Sequence, residues 1–325
     1  MDALKTKIKN AQCAANIEFK GNSCYPVEVL EEMINQLSKD PNHKDVNVKF
    51  VINGKSKNDK IYNIMDIPNV KRMKQENILD YKKFLVDMLE QVMDNIKIEK
   101  SSGGYKNMKK QYNWLLVPIF KNLRGKYSHD DFFRPKGPNT GHQWLSNFDI
   151  ENVMRQYESI YPGFKFLDVV PCDFDDIPQY QYSSKDYNDY TDKGIPKYKF
   201  GVIFNLDNSR QSGSHWTALY FDMKKKQIYY QDSVGNPPKR EFVKLMDSIE
   251  KQMKEDKDKK PIDRRVNNLR HQYQNSECGV YSISFILRLL NGESFDQIES
   301  KPIPDEEVNK CRIIYFNNNK DWIII

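Results

Sequence analysis

The chain has 325 residues, 51 Lys and Arg against 45 Asp and Glu, a net charge of +6 and 38% hydrophobic residues, enough for about two domains with a core each. Its opening stretch, MDALKTKIKNAQCAANIEFK, is charged throughout, and apolar runs such as WLLVPIF fall well short of the ~18 residues a membrane span needs, so neither export nor membrane insertion is expected. The cysteines Cys13, Cys24, Cys172, Cys278 and Cys311 are odd in number and irregularly spaced, with no C-x-x-C pair and no H-E-x-x-H, which predicts neither a zinc site nor a disulfide framework and points to a reducing intracellular compartment.

Near the N-terminus, Pro26 suits the first turn of a helix whose apolar positions Val27, Leu30, Ile34 and Leu37 share a stripe. A strand-like VNVKFVI run follows, then a second helix in which Leu85, Met88, Leu89, Val92 and Ile96 fall on one face. That face is read as packing, not as a cofactor site. The small residues Ser101, Ser102, Gly103 and Gly104 break the pattern, and the division between a mainly helical module over 1–105 and a second module over 106–325 is placed there.

The second module opens with WLLVPIF and a polar loop. In HQWLSNFDIENVMRQY, Ser146 and Asp149 stand in capping-box relation, Ile150, Val153, Met154 and Tyr157 make the buried stripe, and Trp144 sits just before the helix. YKFGVIFNL, HWTALYF and QIYY are rich in aromatic and β-branched residues, and turn-forming or charged residues separate them, so they are assigned to three consecutive antiparallel strands. Phe242, Leu245, Met246, Ile249 and Met253 mark another amphipathic helix that runs into the charged segment KEDKDKK.

A further helix carries the candidate chemistry. In NSECGVYSISFILRLLNG, Ile283, Ile286, Leu287 and Leu290 share a face, Asn275 or Ser276 can cap the start, and Gly292 supplies the stop. Cys278 then lies in the first turn, where unpaired N–H groups favour a thiolate, and Gly279 leaves the sulfur open to a substrate backbone. A tight turn near Met223 and Lys224 would set His215 directly opposite Asp232, within reach for a carboxylate to orient an imidazole. A shift of the turn by one or two residues would alter that pairing. Acyl transfer also needs donors for the developing oxyanion; Gln272 and Gln274 both stand close before Cys278, and either amide could join the Cys278 N–H.

The order His215-Trp216, Asp232, Gln272, Cys278-Gly279 resembles the adenain and ubiquitin-like-protein-specific protease superfamily. The spacing resembles its SUMO-deconjugating branch, as does WLSN at 144–147 ahead of a helix. The resemblance covers roughly residues 140–290. It implies an α+β, papain-like cysteine protease core, a mostly antiparallel sheet packed against helices, with no cofactor. It also implies a triad of Cys278, His215 and Asp232, Gln272 as oxyanion donor, and a Gly-Gly channel between Trp144 and Trp216. Asn147 stands where the deconjugating enzymes carry an acid that reads the modifier's tail, and Ser276-Glu277 replaces their Tyr-Asp before the cysteine, so a ubiquitin-like substrate is not fixed by the resemblance.

A helical N-terminal extension on such a core, in a chain rich in Lys, Asn, Asp and Tyr, is similar to the polyprotein-processing proteases of large DNA viruses. The expected activity is a thiol endopeptidase cleaving after Gly-Gly or a similar pair, in a viral structural polyprotein or a ubiquitin-like conjugate, inside the host cell and the virion. Two alternatives stand beside it: an acyltransferase on the same fold, and an inactive scaffold using the basic balance for nonspecific DNA association. No membrane partner is expected.

Overall fold

Residues 12–52, 55–99, 104, 106–138, 141–255 and 260–317 are described by the computed structural model, and contacts divide the chain into two units, Met1–Phe133 and Arg134–Ile325. In the first unit Pro26 stands at the N-cap of α1 (Val27–Lys39), which buries Val29, Leu30, Met33, Ile34 and Leu37. A hairpin of β1 (Asn47–Ile52) and β2 (Lys55–Lys60) follows, then α2 (Ile61–Ile64), α3 (Pro68–Glu76) and α4 (Ile78–Met93). The α4 side chains Leu85, Met88, Leu89 and Val92 meet the α1 stripe in one core. Asn77 caps α4 by accepting from the Asp80 N–H, satisfying one of the donors a helix start leaves open.

The run WLLVPIF belongs to this unit, where it forms two 3-10 turns that bury Trp114, Leu115 and Phe120; α5 (Lys121–Lys126) follows it. Contacts therefore put the border after Phe133 rather than near residue 105, because this apolar run completes the core of α1 and α4. Of the expected break, residues 101–103 lie outside the described residues. The cysteine reading is corrected here: Cys13 and Cys24 form a disulfide with Cα atoms 5.2 Å apart, while Cys172, Cys278 and Cys311 are free. Turns closed by Ile17 N to Ala14 O and Ser23 N to Lys20 O fold the intervening segment back, so cysteines without a motif spacing still meet.

The second unit is built on a five-stranded sheet. After α6 (Asn147–Ile160) come β3 (Phe164–Val170), a small ribbon of β4 (Thr191–Asp192) and β5 (Ile195–Pro196), then β6 (Lys199–Asn205), β7 (Trp216–Asp222) and β8 (Gln227–Gln231). Helix α7 (Arg240–Glu255) leads to β9 (Asp263–Val266), and α8 (Cys278–Leu290), α9 (Phe295–Ser300), α10 (Asp305–Lys310) and α11 (Arg312–Tyr315) complete the unit. The strand order is β3-β6-β7-β8-β9.

The three aromatic-rich runs pair antiparallel as β6, β7 and β8, but both outer pairings, β3 with β6 and β8 with β9, are parallel. The sheet is thus mixed, not mostly antiparallel. A helix joins β8 to β9, and such a crossover returns the chain in the same direction.

Alternation along the strands supplies two cores. Ile203, Ala218, Tyr220 and Tyr229 face α6, α8 and α9 on one side, while Val202, Phe204, Leu219, Phe221, Ile228 and Tyr230 face α7 on the other. The α7 stripe is the expected one: Phe242, Leu245, Met246, Ile249 and Met253 are all buried. Residues 256–259 of the charged run beyond it lie outside the described residues. Among the described residues no helix is long and apolar enough to cross a membrane.

Candidate active site

Helix α8 starts at Cys278, and its first nine residues are all buried. Cys278 as a residue keeps 4% exposure. The N-cap is Glu277, not Asn275 or Ser276, because the Ser276 N–H (2.9 Å) and hydroxyl both turn to the Glu277 carboxylate. Gly279 answers a close approach: a Cβ there would lie 3.1 Å from Leu145 Cβ and 3.3 Å from Trp216 Cδ1. Gly292, with φ +95°, ends the turn after the helix, a backbone state that costs glycine least.

His215 Nε2 and Asp232 Oδ1 are 2.7 Å apart, with side-chain exposures of 16% and 1%, and Cys278 is near enough to act on the charge of the imidazole. The hairpin that joins them turns over Met223–Lys226, since Asp222 pairs with Gln227 and Ala218 with Gln231. Carried one step further, this register sets Thr217, not His215, opposite Asp232. His215 stands two positions farther along. A shift of two keeps both side chains on one face, and the diagonal neighbour is still within reach of a long side chain. Burial opposes charge on His215, but the hydrogen bond to Asp232, the Asp232 charge and the neighbouring Cys278 outweigh it and raise the imidazole to about 9.

The carboxylate is itself held. The Asp232 N–H donates to Asn267 Oδ1 and the Val234 N–H to Asp232 Oδ1, both at 2.8 Å. The next residue ties in Gln272: the Ser233 hydroxyl donates to Gln272 Oε1 at 2.6 Å, and the Ser233 carbonyl accepts the N–H groups of His271 and Gln272. Gln272 is buried and its Nε2 donates to the Gln274 carbonyl at 2.8 Å, whereas Gln274 is exposed.

Four residues here escaped the sequence reading: Ser233, Asn267, Asp305 and Arg312. Asp305 Oδ2 accepts the N–H groups of Tyr273 and Gln274, and Arg312 Nη2 donates to the Ser276 carbonyl at 2.9 Å. Only Ser233 had a signal, its place beside Asp232 at a strand end.

A groove of about 580 Å³ is lined by Trp144, Asn147, His215, Trp216 and the polar loop residues 207–209 and 211–214. Trp216 is fixed by its indole N–H, which donates to the Leu145 carbonyl at 2.9 Å. Trp144 is 44% exposed at the rim. Asn147 is the first residue of α6, whose capping box closes through Asp149 N to Ser146 Oγ (3.2 Å) and Ser146 N to Asp149 Oδ2 (2.8 Å). Among the described residues no group of three or more His, Cys, Asp or Glu side chains could hold a metal ion.

Residues 200–323 match the Ulp1 protease family, C-terminal catalytic domain. A protein of Acanthamoeba polyphaga mimivirus named as a thiol protease is 41% identical over 188 residues, which are 57% of this chain and 61% of that protein. The match thus spans about three fifths of that relative's length. A SUMO-1 cysteine protease of African swine fever virus is 29% identical over 198 residues, 57% of this chain and 71% of the relative. The crystal structure of an African swine fever virus protease superposes with a TM-score of 0.56 at 22% identity, covering 94% of this chain and 95% of that one, and shows the same fold.

Proposed function

We propose, for a chain that carries a catalytic domain of the Ulp1 protease family, that it is a cysteine endopeptidase cutting after Gly-Gly or a similar small pair, and that its substrate is a structural polyprotein of a large DNA virus. The observation that carries the reading is the cluster at one end of the sheet, in which an imidazole 2.7 Å from a buried carboxylate also feels the cysteine that starts a buried helix. His215, raised to about 9, takes the proton of the Cys278 thiol and holds it. The sulfur attacks the scissile carbonyl while the Cys278 N–H and the Gln272 amide receive the oxyanion. His215 then gives its proton to the leaving amine, the C–N bond breaks, and a thioester remains. A water molecule, deprotonated by the now neutral imidazole, displaces the sulfur and frees the acid.

The groove supports the small-residue preference. Trp144 and Trp216 both line it beside His215, and a Gly-Gly pair passes two indoles that a larger side chain would strike. The viral source of the relatives named above and Asn147 in place of an acid at the groove support a viral polyprotein, while the name of the African swine fever virus relative, a SUMO-1 cysteine protease, favours removal of a ubiquitin-like modifier as the second reading. A peptide ending in Gly-Gly followed by a fluorescent amine tests the reading. The full chain releases the amine and Cys278→Ala abolishes release while its melting temperature stays within a few degrees; undiminished turnover in that variant overturns the reading.

A further inference from the structure

The segment 272–277 that leads to the nucleophile has little core of its own: Tyr273 is 72% exposed, and Gln274 and Asn275 are exposed as well. Its backbone is gripped from behind by two charged residues of the last helices. Asp305 is 7% exposed, and its Oδ2 accepts the Tyr273 and Gln274 N–H groups at 2.8 and 2.9 Å while Oδ1 lies 3.1 Å from the Tyr281 hydroxyl of α8. That hydroxyl also reaches the Ile303 carbonyl at 2.7 Å. Arg312 is 1% exposed; its Nη2 donates to the Ser276 carbonyl at 2.9 Å and its Nε to Asn309 Oδ1 at 2.5 Å.

Burying a charge costs several kcal/mol unless it is paired or hydrogen-bonded. Here neither residue is spent on a partner of its own kind nearby in sequence: a carboxylate collects consecutive amide protons, and a guanidinium takes the carbonyl two residues before the sulfur. Glu277, with no exposure, lends its charge to Arg312 from the residue before Cys278. The guanidinium is drawn down to about 10 by burial and held there by Glu277 and by Cys278 itself, which places it within the electrostatic reach of the nucleophile.

Resting on the peptidase reading above, we propose that Asp305 and Arg312 are positioning residues, and that the helix pair α10 and α11 sets the loop 272–277 so that Gln272 and the Cys278 N–H converge on one oxyanion. The test separates acyl transfer, which needs that convergence, from simple alkylation of the thiol, which needs only sulfur and imidazole. Full-length Asp305→Ala, Asp305→Asn, Arg312→Gln and Arg312→Lys are compared with the parent in two assays: turnover of the Gly-Gly reporter and inactivation by iodoacetamide. A misplacement of about 1 Å costs on the order of 10²-fold in a positioned reaction.

Asp305→Ala and Arg312→Gln should therefore lose ten- to hundredfold in kcat with KM changed less than about threefold and iodoacetamide inactivation within about twofold. Asp305→Asn, which returns an acceptor, and Arg312→Lys, which returns a donor and the charge, should recover much of the loss. If the alanine variant does not fold, the asparagine and lysine variants carry the test, each expected between parent and null. Parallel loss in both assays, or full turnover in a folded Asp305→Ala or Arg312→Gln, overturns the proposal. A parent chain that alkylates at Cys278 but cleaves no reporter overturns the peptidase reading and this inference with it.

Discussion

Replacing Asp232 by Asn isolates what the carboxylate charge does for His215. The exchange is nearly isosteric, and an amide whose oxygen keeps the Oδ1 position preserves the bonds from Val234 N and to His215 Nε2. The other oxygen, Oδ2, has no hydrogen-bond partner among the described residues, so an NH₂ there breaks no contact. The negative charge is what goes. Burial, which opposes charge on the imidazole, is then countered by Cys278 alone, and His215 falls from about 9 toward its ordinary 6.5.

At pH 8 such a fall takes the protonated fraction from roughly nine-tenths to roughly one-thirtieth, a loss of about thirtyfold, whereas at pH 6 the loss is below about 1.5-fold. Reporter turnover at saturating peptide should accordingly suffer about twenty- to thirtyfold more from Asp232→Asn at pH 8 than at pH 6, on top of any pH-independent loss of orientation. The assay is a pH profile of kcat for both proteins, with the imidazole Cε1–H shift followed by NMR as the direct readout. Equal loss at the two pH values, or an imidazole that still titrates near 9 in the variant, refutes the coupling.

Two further outcomes follow from the same geometry. Because the folded-state imidazole titrates above its unfolded value, its contribution to stability is fully present below about pH 6.5 and is lost as pH rises through about 9; urea midpoints of the parent should fall across that window more than those of His215→Gln, and identical slopes would count against the raised value. In Gly279→Ala the new methyl meets Leu145 Cβ at 3.1 Å and Trp216 Cδ1 at 3.3 Å, so overpacking of about 1–3 kcal/mol should lower the melting temperature and shift tryptophan emission, and reporter cleavage should fall with it; unchanged melting and turnover would show that the indole yields without cost.

Much of the site could be read from residue order because its members sit at element boundaries that leave local marks. Strand-forming runs flank His215 and Asp232, and an apolar helical stripe with a glycine stop frames Cys278. The turn between β7 and β8 is harder to place, since Met223 and the three lysines after it offer no single fold-back point, and the observed register differs by two positions. Even so, the face assignment survived, because pleating repeats every two residues. The outer parallel strands were not legible: β9 is a four-residue run with two arginines, DRRV, and only its place after α7 makes it a strand.

Asp305 and Arg312 left no trace for another reason. Their partners in the loop 272–277 are main-chain groups more than thirty residues away in sequence, and a backbone group has no residue type to betray it. The Cys13–Cys24 bridge was hidden by counting, since three free thiols break the parity that a disulfide set would show. The unit border was obscured because WLLVPIF, with a proline inside it, gives no helical period to attach it to the helices it packs against.

The placement of the sulfur at the root of a helix that is buried from Cys278 to Ile286 bears on how this protein wears out. A nucleophile on a mobile loop can drift out of alignment long before the molecule melts, because loops open locally at little cost. Here the sulfur is anchored to a helix packed into the core of the second unit. Heat or denaturant should then silence the thiol only when that unit comes apart, so that inactivation and cooperative melting trace one curve.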